Sequence, residues 1–139
     1  MTDLRFSSLI SLSILLATSG SVMAQDFAKA RLEKSPRHLE YVKVKHGDRE
    51  VKCFVAYPEV KDKATAVVVI HEIFGLSDWI KGVADQLAEA GYIAIAPDLL
   101  SGMAPNGGGT EELGDKAREE IRKLNPDDQA KRLDAIAAY

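Results

Sequence analysis

Two short apolar runs separated by one amphipathic segment most restrict what this chain can fold into. Residues 66–70 (A-V-V-V-I) form a continuous run without polar alternation, which is typical of strands covered on both faces of a parallel sheet. Apolar residues then recur at helical spacing until a second run, at residues 92–96, which Pro97 and Asp98 end. Strand, helix and strand over about 30 residues predict a βαβ crossover unit, and therefore an α/β fold.

The residues around this unit define its limits. Ser77 or Asp78 can cap the expected helix, and Gly91 is typical of a helix C-terminus. Upstream, residues 39–46 alternate apolar and polar side chains, and residues 51–57 form a second strand after the turn-forming sequence G-D-R-E. We therefore expect a β-hairpin before the βαβ unit.

The segment after the βαβ unit combines a long loop with two expected helices. Residues 99–110 are rich in glycine and proline, and a loop of this length is usually functional or disordered. We expect one helix at residues 111–124. A second helix should begin at an Asn125 cap followed by Pro126 and run to the end of the chain. Such a helix should lead to another buried strand, so we expect the chain to be a fragment of a larger domain.

The first residues have the layout of a secretory signal peptide. Arg5 gives a positive start, an apolar stretch covers residues 9–17, and V-M-A precedes an expected cleavage after Ala24. The apolar stretch is too short for a good membrane span; the alternative is a disordered or membrane-anchored N-terminus. We expect a secreted or periplasmic protein with no stable membrane insertion after signal cleavage. The expected division is a signal peptide at 1–24, an N-terminal arm at 25–37 and a folded domain at 38–139.

Charge and cysteine content exclude some classes of function. The formal net charge is −3 and no basic run occurs, so no nucleic-acid partner is expected.

Cys53 is the single cysteine and cannot form an internal disulfide. We expect it to be buried and inert in its strand; the alternative is pairing with another molecule.

The sequence H-E-I-F-G at residues 71–75 follows the first apolar run directly. His71 and Glu72 also begin the zinc protease signature H-E-x-x-H. Gly75 occupies the position of the second histidine, however, and the stretch lies at a strand end and not within a helix. No metal site is therefore expected.

Residues 67–80 (V-V-V-I-H-E-I-F-G-L-S-D-W-I) and residues 90–100 (A-G-Y-I-A-I-A-P-D-L-L) together strongly resemble the dienelactone hydrolase family, which has the α/β-hydrolase fold. The similarity extends more weakly to the hairpin and to the helix after Asn125, and it covers the first half of a family member. The resemblance implies an α/β-hydrolase-type sheet with an N-terminal hairpin and a βαβ unit, truncated before the nucleophile elbow. Residues 38–139 would then be the N-terminal part of an α/β-hydrolase domain.

The resemblance also implies roles for individual residues. The backbone N–H of Ile73 would belong to the oxyanion hole, the donors that bind the negative charge of a tetrahedral intermediate. Glu72 would lie beside the nucleophile and help to set its protonation; the alternative is a turn or salt-bridge residue. For His71 we expect a hydrogen-bonding role in the loop.

Further positions extend or limit the resemblance. Phe74 and Trp79 are expected to pack against other residues, and Asp98 is expected to fix the turn after its strand. The best-known family members hold a substrate carboxylate with an arginine shortly after Pro-Asp-Leu. The corresponding position here is Gly102, so recognition of that substrate is not expected.

The chain does not contain a nucleophile elbow of the form G-x-S-x-G or G-x-C-x-G. Ser35, Ser77, Ser101 and Cys53 all lie outside such a turn. Because triad chemistry needs a base against the nucleophile, the nucleophile, acid and histidine are expected to be absent from this chain.

These features predict the N-terminal fragment of a secreted hydrolase that cleaves a small-molecule ester or lactone through an acyl-enzyme. The fragment alone is expected to be inactive. No cofactor and no metal are implied. The alternative is a non-catalytic binding protein that keeps the α/β-hydrolase fold.

Overall fold

The computed structural model describes residues 23–139, and it begins with a helix, α1, at residues 23–33. The strands and longer helices that follow are β1 (Leu39–His46), β2 (Arg49–Ala56), β3 (Ala66–Val68), α2 (Asp78–Glu89), β4 (Ile93–Pro97), α3 (Thr110–Leu113), α4 (Ala117–Glu120) and α5 (Pro126–Ala137). Short 3₁₀ turns occur at Pro105–Gly107, Gly114–Lys116 and Ile121–Lys123.

The described strands form one sheet in the order β1-β2-β4-β3. β1 and β2 pair antiparallel, with Leu39 opposite Ala56 and His46 opposite Arg49, so the predicted hairpin is confirmed. β4 runs antiparallel to β2 and parallel to β3. Because α2 connects the parallel strands β3 and β4, the predicted βαβ unit and the α/β class are confirmed as well.

Helices cover both faces of this sheet. Along β4, Ala94 and Ala96 contribute to the face under α2, while Ile95 contributes to the face under α5. On the first face, α2 packs against the sheet through Ile80, Ala84 and Ala88. On the second face, α5 packs against the sheet through Ile136. A third apolar cluster lies beyond the end of β4 and contains Leu100, Ala104, Leu113 and Ala117.

The strand at the start of the βαβ unit is shorter and more exposed than the sequence predicts. Of residues 66–70, only Ala66–Val68 form the ladder with β4. The N–H of Val69 still donates to the Ile95 carbonyl at 2.8 Å, but Ile70 is 58% exposed. The expectation of cover on both faces holds in part, because Val69 belongs to the core under α2 and Val68 packs against the core under α5, whereas Ile70 at the end of the run is exposed.

Both predicted helix starts are confirmed by their caps. The Ser77 side chain accepts a hydrogen bond from the N–H of Ile80 at the start of α2. The Asn125 side chain accepts from the N–H groups of Asp127 and Asp128 at the start of α5, and Pro126 occupies the first turn. These side chains satisfy N–H groups that no earlier helical residue can bind.

One prediction for the segment between β4 and α5 needs correction. The expected helix at residues 111–124 is broken into α3, α4 and two 3₁₀ turns, because Gly114 adopts a left-handed φ of 53° that ends α3. The glycine-rich loop before it is ordered by local bonds: the carbonyl of Gly108 accepts from the N–H groups of Gly102 and Ala104.

The N-terminal segment is also more structured than a polar arm. Residues 25–33 belong to α1, where Ala28 is buried and Leu32 packs against the core under α2. Residues 1–22 lie outside the described part, so the signal peptide at 1–24 stays a prediction. From residue 23 onward, the helices are too short or too polar to cross a bilayer.

Candidate active site

The H-E-I-F-G loop begins directly after β3, and the side chain of His71 ties it to the loop after β4. His71 is buried, with 6% of its surface exposed. Its Nε2 accepts a hydrogen bond from the N–H of Leu99 at 3.1 Å, and its Nδ1 lies 2.9 Å from the Glu72 carbonyl oxygen. The expected hydrogen-bonding role of His71 in the loop is therefore confirmed.

Glu72 lies at the exposed turn of this loop. Its Oε2 accepts a hydrogen bond from the N–H of Phe74 at 3.1 Å, and its carbonyl accepts from the N–H of Gly75 at 3.1 Å. Among the described residues, Oε1 of Glu72 has no hydrogen-bond partner. One carboxylate oxygen thus supports the turn, and the other is free for a further contact.

The N–H of Ile73 differs from the N–H groups of the three residues that follow it. The N–H groups of Phe74, Gly75 and Leu76 all donate to acceptors in the protein. Within residues 23–139 the N–H of Ile73 has no such acceptor, and the residue is 49% exposed. A backbone donor without an acceptor after a strand end can bind a negatively charged oxygen.

Asp98 and Thr110 hold the far end of the loop. The carboxylate of Asp98 accepts hydrogen bonds from the N–H of Leu100 at 3.1 Å and from the N–H and hydroxyl of Thr110, both at 2.7 Å. The Thr110 oxygen in turn accepts from the N–H of Leu76 at 2.9 Å. The prediction that Asp98 fixes the turn after its strand is confirmed, and this carboxylate also anchors the H-E-I-F-G loop through Thr110.

Gly75 makes this close approach possible. It has a left-handed φ of 73°, and a Cβ at this position would overlap the Thr110 hydroxyl oxygen and lie 2.8 Å from the Thr110 methyl carbon. Both the backbone conformation and the contact therefore require glycine.

A shallow cleft lies beside the loop. It has a volume of about 330 Å³ and is lined by Phe74, Gly114, Asp115, Ala117 and Arg118. The guanidinium carbon of Arg118 lies 5.1 Å from the centre of the Phe74 ring. Phe74 is 43% exposed and Trp79 is 45% exposed, so neither residue is packed away as the sequence predicts. The exposed ring of Phe74 lines the cleft instead.

Arg132 is a supporting residue that the sequence analysis does not identify. It is 2% exposed, and its Nη1 donates to the carbonyls of Leu99 and Ser101 at 3.2 and 3.0 Å. Its Nε donates to Asp128 at 2.9 Å. The spacing of Asp128 and Arg132 indicates a helix-surface ion pair, but no sequence signal shows that the arginine also reaches the loop after β4.

Other reactive groups lie apart from this loop. Cys53 is fully buried in β2, as predicted, and burial raises the pKa of its thiol to about 12, which keeps it protonated and inert. The residues from 23 onward contain no group of His, Cys, Asp or Glu side chains suited to a metal ion.

Fold and loop together define an α/β-hydrolase-like protein with one candidate oxyanion donor. A family model described as "Dienelactone hydrolase family" matches residues 51–138, and on this match the chain belongs to the dienelactone hydrolase family. The family resemblance seen in the sequence is thereby confirmed.

Individual relatives agree with this assignment. The "Putative hydrolase fragment YghX" of Escherichia coli (strain K12) is 42% identical over 82 residues, which cover 58% of this chain and 67% of that protein. The "Carboxymethylenebutenolidase" of Pseudomonas putida is 33% identical over 64 residues, which cover 46% of this chain and 27% of that protein.

A solved structure supports the fold. The crystal structure of a "Putative Dienelactone Hydrolase" from Klebsiella pneumoniae superposes with a TM-score of 0.61 at 24% identity. The superposition covers 73% of this chain and 42% of that chain. The superposed region thus spans less than half the length of this structural relative. At this level of identity the similarity supports the fold and nothing further.

Proposed function

We propose that the chain is the N-terminal part of a hydrolase that cleaves a small-molecule ester or lactone through an acyl-enzyme. The observation that carries this proposal is the N–H of Ile73, which has no acceptor among the described residues and directly precedes the hydrogen-bonded N–H groups of Phe74 and Gly75. The family membership of residues 51–138 supports a hydrolytic role for such a donor.

The reaction assigns a definite task to this N–H. When a nucleophile forms a bond to the substrate carbonyl carbon, an electron pair of the C=O bond moves to the oxygen, which becomes an oxyanion. The N–H of Ile73 donates to that oxygen and stabilises the tetrahedral intermediate. The intermediate collapses to an acyl-enzyme when the alkoxide leaves with a proton, and water then cleaves the acyl-enzyme by the same sequence of steps.

We propose for Glu72 a role in the protonation of the nucleophile. Its Oε1 has no partner within the described residues, and Glu72 immediately precedes Ile73. A carboxylate in this place can accept the proton of the nucleophile or hold it until substrate binds.

The activity of the chain by itself gives the first test. Its sequence lacks the G-x-S-x-G or G-x-C-x-G elbow, so we expect no hydrolysis of p-nitrophenyl acetate or of a dienelactone above the rate in buffer. Turnover by the purified chain would show that a residue outside an elbow acts as the nucleophile and would contradict the proposal.

The gene beyond codon 139 gives the second test. We expect it to encode an elbow with serine or cysteine, followed by an acid and a histidine, and we expect the whole product to hydrolyse an ester or lactone. A product that binds small molecules but has lost the nucleophile would instead be a non-catalytic α/β-hydrolase-fold binder.

We further propose that the protein is exported to the periplasm or the medium and cleaved between Ala24 and Gln25. The V-M-A sequence that follows an apolar stretch supports this site. N-terminal mass spectrometry of the exported protein should find Gln25 first. An exported soluble product that retains Met1 would rule out cleavage.

A further inference from the structure

We propose that His71 is a positioning residue: its Nδ1–H fixes the plane of the Glu72–Ile73 peptide and thereby the direction of the Ile73 N–H. This inference rests on the proposed function, because it concerns the donor that would bind the oxyanion. It goes beyond that function because it assigns the orientation of the Ile73 N–H to Nδ1 of His71.

The hydrogen bonds of His71 define its tautomer. A backbone N–H can only donate, so Nε2 must accept the bond from Leu99 with its lone pair. In a neutral imidazole the single ring proton is then on Nδ1, which lies 2.9 Å from the Glu72 carbonyl oxygen and donates to it. Both ring nitrogens are therefore used by the backbone of the two loops.

The Glu72 carbonyl oxygen receives two donors, Nδ1–H of His71 and the N–H of Gly75 at 3.1 Å. The described chain contains no cis peptide bond, and in a planar trans peptide the C=O and N–H groups point in opposite directions. Two donors that hold the oxygen of the Glu72–Ile73 peptide thus hold its N–H on the opposite side. That N–H meets no acceptor within residues 23–139.

The acceptor side of His71 is held as firmly as the donor side. The N–H of Leu99 belongs to the Asp98–Leu99 peptide, whose carbonyl accepts from the N–H of Ser101 at 2.9 Å. The next peptide is held by the buried Arg132, which donates to the Leu99 carbonyl at 3.2 Å. His71 can therefore be explained in two ways: it orients the Glu72–Ile73 peptide through Nδ1, or it only joins two loops through Nε2. The two explanations differ in which nitrogen matters.

Two substitutions separate the nitrogens. In His71→Asn, the side-chain amide nitrogen takes a place close to that of Nδ1 and can donate to the Glu72 carbonyl, but the side chain is too short to reach Leu99. In His71→Gln, the amide oxygen can accept from Leu99, but the donor next to Glu72 is lost. The readout is the ¹⁵N relaxation order parameter of the Ile73 and Leu99 amides in the 139-residue chain, and the amides of α2 report whether the fold is retained.

We expect the order parameter of the Ile73 amide to be about 0.85 in the wild-type chain and in His71→Asn, and to fall below about 0.6 in His71→Gln. The Leu99 amide should stay rigid in both variants, because Ser101 and Arg132 hold the carbonyls on either side of it. An Ile73 amide that stays rigid in His71→Gln, or that loosens equally in both variants, would overturn the proposal.

A measurement on the wild-type chain tests the proposal even if neither variant folds. The ¹⁵N shifts of the imidazole distinguish the two neutral tautomers, and we expect a proton on Nδ1 and none on Nε2. A proton on Nε2 would leave Glu72 without this donor and would overturn the proposal. None of these readouts depends on turnover, so a failed ester assay would count against the proposed function and not against the role of His71.

Discussion

At the scale of single residues, the two oxygens of the Glu72 carboxylate have different surroundings. Oε2 accepts from the N–H of Phe74, whereas Oε1 has no partner in the described part of the chain. The turn explanation for Glu72 and the catalytic explanation therefore apply to different atoms of one side chain, and a substitution that keeps hydrogen bonding but removes charge can separate them.

We predict that Glu72→Gln in the complete hydrolase lowers kcat/KM by roughly 10²–10⁴-fold, the usual value of a positioned proton transfer. The melting temperature should stay within a few degrees, because the glutamine oxygen can still accept from the N–H of Phe74. Steady-state kinetics with an ester substrate and a thermal melt give the two quantities.

A matched control is Glu111→Gln, which removes an exposed carboxylate whose ion-pair partner within residues 23–139 is Lys52, at 3.2 Å. It should leave kcat/KM unchanged. Unchanged kinetics in Glu72→Gln would make Glu72 a turn residue, while joint loss of folding and activity would make it structural.

The residues of the site could be predicted only where their partners are near in sequence or where the family supplies a role. The roles of His71 and Asp98 in their loops follow from such reasoning. Thr110 and Arg132 could not be found, because their important bonds reach Leu76 and Leu99 across more than thirty residues. Only the folded sheet places these pairs together.

At the scale of secondary structure elements, Asp85 joins the N-terminal segment to α2. It is fully buried, accepts two hydrogen bonds from Arg37 at 2.8 Å and one from Ser35 at 2.6 Å, and lies 3.5 Å from Arg31. Burial alone would raise the pKa of Asp85, but the bonds from Arg37 and Ser35 outweigh burial and lower the pKa. The carboxylate therefore stays charged inside the protein.

We predict that Asp85→Asn destabilises the chain by about 3 kcal/mol, because it leaves the guanidinium of Arg37 buried without its counter-charge. Urea unfolding followed by circular dichroism measures the free energy difference. Glu89→Gln is the matched control, since Glu89 pairs with Arg31 at the surface and should contribute less than about 1 kcal/mol. Equal losses in the two variants would contradict a special role for Asp85.

The sequence does not predict this element contact. Residues 25–37 are polar in composition, and the helix within them buries little more than Ala28 and part of Leu32. A polar segment held by ion pairs lacks the apolar periodicity from which helices are recognised. By contrast, α2 and α5 were predictable, because each combines an apolar stripe with a capping side chain.

At the scale of the whole molecule, the described carboxyl groups with resolved shifts all have lowered pKa values. Tyr57 donates to Glu40, the N–H of Gly109 donates to Glu112, and His46 pairs with Asp128, and each contact lowers the pKa of the acid. Asp85 has a lowered pKa as well. Folding therefore favours the charged form of these groups.

We predict that the stability of the chain is lost at acid pH. A group whose pKa is lowered by folding contributes its full stability above its unfolded value of about 4, and this contribution is lost as pH falls through the lowered folded value. The unfolding free energy should thus be level between about pH 5 and about pH 7 and decrease below about pH 4.

Urea unfolding at a series of pH values measures this profile. Asp85→Asn should show a shallower decrease at acid pH than the wild-type chain, because one of the linked groups is missing. Stability that increases as pH falls from 5 to 3 would contradict the linkage argument.

The overall architecture was more predictable than the exposure and the limits of its individual elements. Hairpin, βαβ unit and sheet class follow from local periodicity and turn residues. The exposure of β3 does not, since it depends on what lies next to the strand in space. The break at Gly114 is a local effect of a glycine with positive φ inside a segment that was expected to be one helix.

The close approach of Gly75 to Thr110 also has an evolutionary meaning. Each of the other amino acids would add a Cβ at position 75, so no single mutation of the glycine codon is neutral for the loop. Alanine at position 110 would relieve the overlap with the hydroxyl oxygen but would remove the acceptor for Leu76 and would leave the positive φ unchanged. Among natural variants of this chain, position 75 should therefore stay glycine while the neighbouring exposed positions drift, and a sequence that has lost this glycine should also have lost the geometry of the loop.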